Sequence, residues 1–124
     1  MLFRSLVGHP DPARTALDRL VAFAEAGADC LYAPGVRDAE MISTIVKAVA
    51  PKPVNVLISS PVPGLSVSRL AELGVRRISV GSALARVAWG AFMHAARSIA
   101  ETGSFDSLGG AVPFAELNDT FTPS

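Results

Sequence analysis

Two places in this sequence could handle a small anion. The first is the stretch RRISVGSALARVAWG, Arg76 to Gly90. Ile78 to Gly81 reads as a buried strand, and a helical pattern begins at once after Gly81-Ser82. Backbone N–H groups at such a turn lie unpaired at the positive end of the helix dipole. They suit an anion, such as a phosphate-like group. Gly81 lets the backbone turn sharply. The signal is thinner than a full glycine-rich phosphate loop, and Ser82 also reads as a plain helix N-cap. The second place is Asn55, in PVNVL. An amide in an otherwise apolar strand needs partners, because burying it unpaired costs about 1–3 kcal/mol. A ligand or neighbouring backbone would supply them.

The remaining chemistry-bearing residues point elsewhere. His9 lies in GHPDP and His94 in a long helical pattern, too far apart to form a metal site without further ligands. Eleven acidic residues are present, but no two fall at adjacent strand ends. Asp29 precedes a strand, and Asp38 and Glu40 open a helix. Cys30, the single cysteine, reads as a core residue at a strand start and excludes an internal disulfide. Trp89, Phe92 and Met93 sit at helical spacing and read as packing residues, or as interface anchors if the helix reaches another subunit.

The elements that must position Asn55 and Gly81-Ser82 are strongly periodic. Leu17, Leu20, Val21 and Ala24 mark a helix closed by Gly27. A strand follows at Cys30–Ala33. Asp38 is suited to cap a helix with the apolar face Met41, Ile42, Ile45, Val46 and Val49. The next strand spans Pro53–Ile58. A short helix over Val67, Leu70, Ala71 and Leu73 stops at Gly74. RRISV is the third strand, and the last helix runs from Ser82 to about Thr102. The order is α-β-α-β-α-β-α, with strands starting about 23 residues apart. Repeated βα units of this kind build a parallel sheet. Strands apolar on both sides fit helices on one face and a filled interior on the other. Ser59–Gly64, SSPVPG, forms a loop at a strand's carboxyl end, where functional loops sit in such folds.

Composition narrows the function classes. The 124 residues carry no net charge and are 50% hydrophobic, which argues against nucleic acid and against a membrane surface. No apolar run is long enough to span a bilayer, and the N-terminus does not read as a signal peptide, so a cytoplasmic protein is expected. Three strands are too few for a closed barrel, which takes roughly 250 residues. A bare three-strand sheet would leave two open hydrophobic edges.

The blocks AGADCLYAPGVRD, KPVNVL, LAELGVRRISVGSALARVAWGAF and GSFDSL resemble the isocitrate lyase and phosphoenolpyruvate mutase superfamily, within it the carboxyvinyl-carboxyphosphonate phosphorylmutase-like branch. The resemblance runs from about Gly8 to Phe121. It implies the C-terminal half of a (β/α)8 TIM-type barrel: a helix, three βα units with parallel strands, and a tail over 103–124, all within one partial-barrel domain over 1–124. It also implies oligomers, dimeric or tetrameric, in which the long helix is exchanged between subunits.

The chemistry implied by the resemblance is cleavage or formation of C–C or P–C bonds in small oxyacids, with Mg2+ held by acidic residues on early strands. Asn55 matches a ligand-facing family Asn. Arg4 is offered, across a gap, for a family Arg that grips a carboxylate or phosphoryl group. Pro34 stands where the lyase branch has a Glu, which argues against lyase-type chemistry. The metal carboxylates and the family's mobile catalytic loop find no match here. The chain alone is therefore expected to be inactive and to bind no Mg2+, with substrate-binding residues Asn55, Gly81, Ser82 and Arg4. The competing expectation is a non-catalytic assembly unit or an anion-binding half-barrel that persists as a homo-oligomer.

Overall fold

The computed structural model describes residues 10–122. Helix α1, Pro12–Glu25, starts where Asp11 accepts a hydrogen bond from the Arg14 N–H at 3.0 Å. Pro12 fits there because the first helical residue needs no N–H donor. Helix α2, Ala39–Ala48, is capped by Asp38, which accepts from the Met41 N–H at 2.7 Å. Glu40 in its first turn and Lys47 in its last both oppose the helix dipole. Helix α3, Val67–Glu72, is capped by Ser66, which accepts from the Arg69 N–H at 3.1 Å. Thus a short polar side chain caps each of these three helices, as the sequence favours.

Strands β1 (Leu31–Tyr32), β2 (Val54–Leu57) and β3 (Arg77–Ser79) form a parallel sheet in chain order. Leu31 pairs with Val54, Tyr32 with Asn55, and Asn55 with Arg77. The three-strand α/β architecture agrees with the expectation, although each strand is shorter than its apolar run. Side chains alternate across a sheet. Leu31, Val54 and Val56 join Leu20, Ile42, Ile45, Val49 and Leu70 in the buried core against the helices. Tyr32, Asn55, Leu57, Arg77 and Ser79 share the opposite face. Burial of Leu20, Ile42 and Leu70, the most enclosed large side chains, contributes about 1.5–3 kcal/mol each.

The turn from α3 into β3 is held close to α2. Gly74 has φ +87°, and a Cβ built on it would lie 2.8 Å from the Val46 side chain. Glycine alone satisfies both the left-handed backbone and the space. Cys30, expected in the core, is exposed. Only two residues of that segment pair into the sheet, so the alternation that would bury Cys30 does not extend to it.

Contacts divide the chain into two compact units, one ending at Ala83 and one beginning at Leu84. The second holds nearly all of helix α4 (Ala83–Thr102), a 3₁₀ turn over Asp106–Gly110 and helix α5 (Phe114–Asp119). No residue of α4 is buried. Trp89 and Phe92 stack edge to face with centroids 5.3 Å apart, yet stay 62% and 61% exposed. No helix among the described residues is long and apolar enough to cross a membrane.

Candidate functional site

The carboxyl ends of β1, β2 and β3 carry three loops: Ala33–Asp38, Ile58–Ser66 and Val80–Ser82. Asn55 lies one turn of the pleat below the middle loop. It is 3% exposed, and its Nδ2 donates to the Ser79 Oγ at 3.0 Å. Its Oδ1 is buried and has no hydrogen-bond partner among the described residues. Turning the amide over would only move the deficit to the other end, since Ser79 can either accept or donate. One end of a buried amide therefore stays unpaired, on the sheet face opposite the helix-packed core. Among the polar residues of the strands, Asn55 alone is buried.

Gly81 follows β3 with φ +57°, in the left-handed region that the sequence required of it. A Cβ there would lie 3.4 Å from the Leu57 side chain, at the end of β2. Asn55 and Gly81 are thus tied to the same strand end, one directly and one through Leu57. The hydroxyl of Ser82 makes no hydrogen bond among the described residues. The expected N-cap at Ser82 is not formed, in contrast to Asp11, Asp38 and Ser66. The Ala83 N–H turns back to the Val80 carbonyl at 3.1 Å, so the turn into α4 is closed by backbone. The Ser82 hydroxyl is left to interact with something else. Arg4, and His9 with it, lies outside the described residues.

A contact not foreseen in the sequence crosses two of these loops. Arg37, just after β1, donates from Nη1 to the Ser60 Oγ at 2.9 Å and from Nη2 to the Ser59 Oγ at 3.2 Å. It reaches over 22 and 23 residues, from the first loop to the second. Only its place in the loop between β1 and α2, directly before the Asp38 cap, could have marked it.

Metal chemistry does not fit these residues. Among the described residues no three His, Cys, Asp or Glu side chains group so as to hold a metal ion. Apart from Asp38, whose carboxylate caps α2, the side chains argued for at the strand ends are amide, hydroxyl and guanidinium groups, which suit an anion and not a resident Mg2+.

Residues 2–100 match the family described as phosphoenolpyruvate phosphomutase. Two proteins of Mycobacterium tuberculosis, both described as uncharacterized, are each 37% identical to this chain over 109 residues, 88% of this chain and 39% of theirs. A crystal structure of a candidate lyase/mutase from Burkholderia cenocepacia J2315 is 45% identical with a TM-score of 0.83, covering 95% of this chain and 42% of that one. A 2,3-dimethylmalate lyase of the phosphoenolpyruvate mutase/isocitrate lyase superfamily shares the fold at 23% identity, with a TM-score of 0.76 over 95% of this chain and 41% of its own. The chain thus spans about two fifths of the length of these relatives.

Proposed function

The chain belongs to the phosphoenolpyruvate phosphomutase family, within the phosphoenolpyruvate mutase/isocitrate lyase superfamily, and on that premise we propose that it forms the ligand-holding strand ends of a barrel acting on small oxyacids. The observation that carries this reading is Asn55. A buried amide with one unpaired end, in an apolar strand, is destabilising unless a ligand or a completing neighbour satisfies it; turned over, with Ser79 donating to its oxygen, the amide offers its N–H groups to an oxyanion. The Gly81-Ser82 turn adds backbone N–H groups and a free hydroxyl at the adjacent strand end.

The division of labour follows from the donor set. These residues bind and orient an oxyanion; they hold no group suited to carry a proton between bound atoms. The bond cleavage or formation in which C–C or P–C bonds take part belongs to a complete barrel, and Mg2+, where used, is held outside the described residues. The chain alone is inactive. In the assembled protein, α4 packs against a second copy and is exchanged between subunits of a dimer or tetramer. A cytoplasmic location suits such an enzyme.

Titration of the labelled chain with oxalate, followed by NMR, tests the reading. Amide shifts at Asn55, Gly81 and Ser82 are expected. Shifts confined to the opposite end of the sheet, around Lys52, would overturn it.

A further inference from the structure

We propose that Arg37 is a specificity-determining residue of this site, recognising a second acidic group on the bound oxyacid and so selecting dicarboxylic over monocarboxylic ligands. The inference rests on the oxyanion site proposed above, and it adds a residue and a substrate class to that site.

The chemistry of the contact supports it. A guanidinium has five N–H donors and no acceptor. Two of Arg37's donors go to the Ser60 and Ser59 hydroxyl oxygens, at 2.9 and 3.2 Å. Three remain. Each serine that accepts from Arg37 keeps its own O–H free to donate outward. Arg37, Ser59 and Ser60 therefore present mainly donors, with one positive charge. No carboxylate neutralises that charge: the ion pair found among the described residues is Arg69–Glu72, on α3. Most exposed arginines sweep through many rotamers. This one is pinned at both terminal nitrogens by two consecutive residues of another loop, so less freedom is lost when it binds.

Placement supports the same conclusion. Arg37 leaves the carboxyl end of β1, and Ser59 and Ser60 leave the carboxyl end of β2. Asn55 lies in β2 four residues before Ser59. Ligands of parallel βα folds sit outside these strand ends. A ligand with one acidic group can be held by Asn55 and the Gly81-Ser82 turn. A second acidic group on the same small molecule meets a planar, pre-oriented guanidinium, which suits a carboxylate's two oxygens.

The test compares malate with lactate, two hydroxy acids that differ by one carboxylate-bearing arm. Dissociation constants for this chain are measured by NMR titration on the wild type and on Arg37→Gln and Arg37→Lys. The expected result is malate binding about tenfold or more tighter than lactate. Arg37→Gln should erase that preference and leave lactate unchanged. Arg37→Lys should restore it only in part, because it keeps charge but loses the fork. Equal binding of the two acids by the wild type, with shifts at Asn55 and Gly81, overturns the role of Arg37 and leaves the oxyanion site standing. Equal weakening of both acids by Arg37→Gln also overturns it, showing that Arg37 only braces the Ser59–Ser60 loop. Binding of malate with shifts limited to Arg37, Ser59 and Ser60 supports Arg37 and removes Asn55 and Gly81 from the site. No binding of either acid overturns both.

Discussion

Asn55 and Ser79 join β2 to β3 through their side chains, at 3.0 Å, while the other end of the Asn55 amide has no partner among the described residues. An apolar residue of the same shape removes that deficit. Asn55→Leu is expected to leave the chain as stable as the wild type or to stabilise it by about 1 kcal/mol, and to abolish oxalate binding. Urea unfolding and the oxalate titration measure the two effects. A loss of stability above about 1 kcal/mol would show that the amide is needed for folding and not for a ligand.

Gly74 and Gly81 should differ in what a methyl group does. Gly81→Ala meets the left-handed backbone with the Leu57 side chain at contact distance, and a cost of about 1–2 kcal/mol is expected. Gly74→Ala meets the same backbone penalty and the Val46 side chain at 2.8 Å, so its unfolding midpoint should fall further. The reverse order would mean that α2 yields easily at Val46.

The cap at Asp38 offers a cleaner case. Asp38→Ala should cost about 0.5–2 kcal/mol, and Asp38→Asn only a fraction of that, since Asn also accepts from the Met41 N–H. Thermal unfolding of the two variants side by side measures the difference. Equal losses would mean that the charge, not the hydrogen bond, matters there.

Catalysis should be missing from the isolated chain. With Mg2+ present, isocitrate, methylisocitrate, oxaloacetate and phosphonopyruvate are each expected to remain unconverted. A metal-dependent turnover by pure protein would contradict the division of labour proposed here.

Self-association is the outcome expected from α4. Trp89, Phe92 and Met93 are exposed on one helix that buries nothing, and such apolar clusters mark interaction surfaces. Light scattering after size exclusion should give a dimer or tetramer, weakened by Trp89→Ala with Phe92→Ala. A well-folded monomer at micromolar concentration would end this proposal.

Local signals in the sequence were read well, and long-range ones were not. Asp38, Leu20, Ile42 and the limits of α4 follow from caps and periodicity, which act within a few residues. The parallel sheet followed from the recurrence of βα units. Cys30 was misplaced because an apolar run does not say how many of its residues pair. Ser82 makes no cap among the described residues because residue type before a helix does not fix the side-chain rotamer that would aim its oxygen at the second or third helical N–H. The 3₁₀ turn at Asp106–Gly110 and helix α5 are too short for a periodic signal. Arg37 was invisible for a different reason. Its partners, Ser59 and Ser60, are brought to it by the pairing of β1 with β2, and no spacing along the chain encodes that.

The spatial order of the strands repeats their order in the chain. Each βα unit therefore leans on its immediate predecessor and successor and on nothing more distant within the sheet. Stability in such an arrangement accumulates like links in a stack, and folding can advance one unit at a time with short loops to close. β1 and β3 are the two edges of the sheet formed by the described residues. Each is a growth point to which a further strand can be added with the same register logic, from the same polypeptide or another, without rearranging what is already built. A barrel made this way can be divided between strands and rejoined.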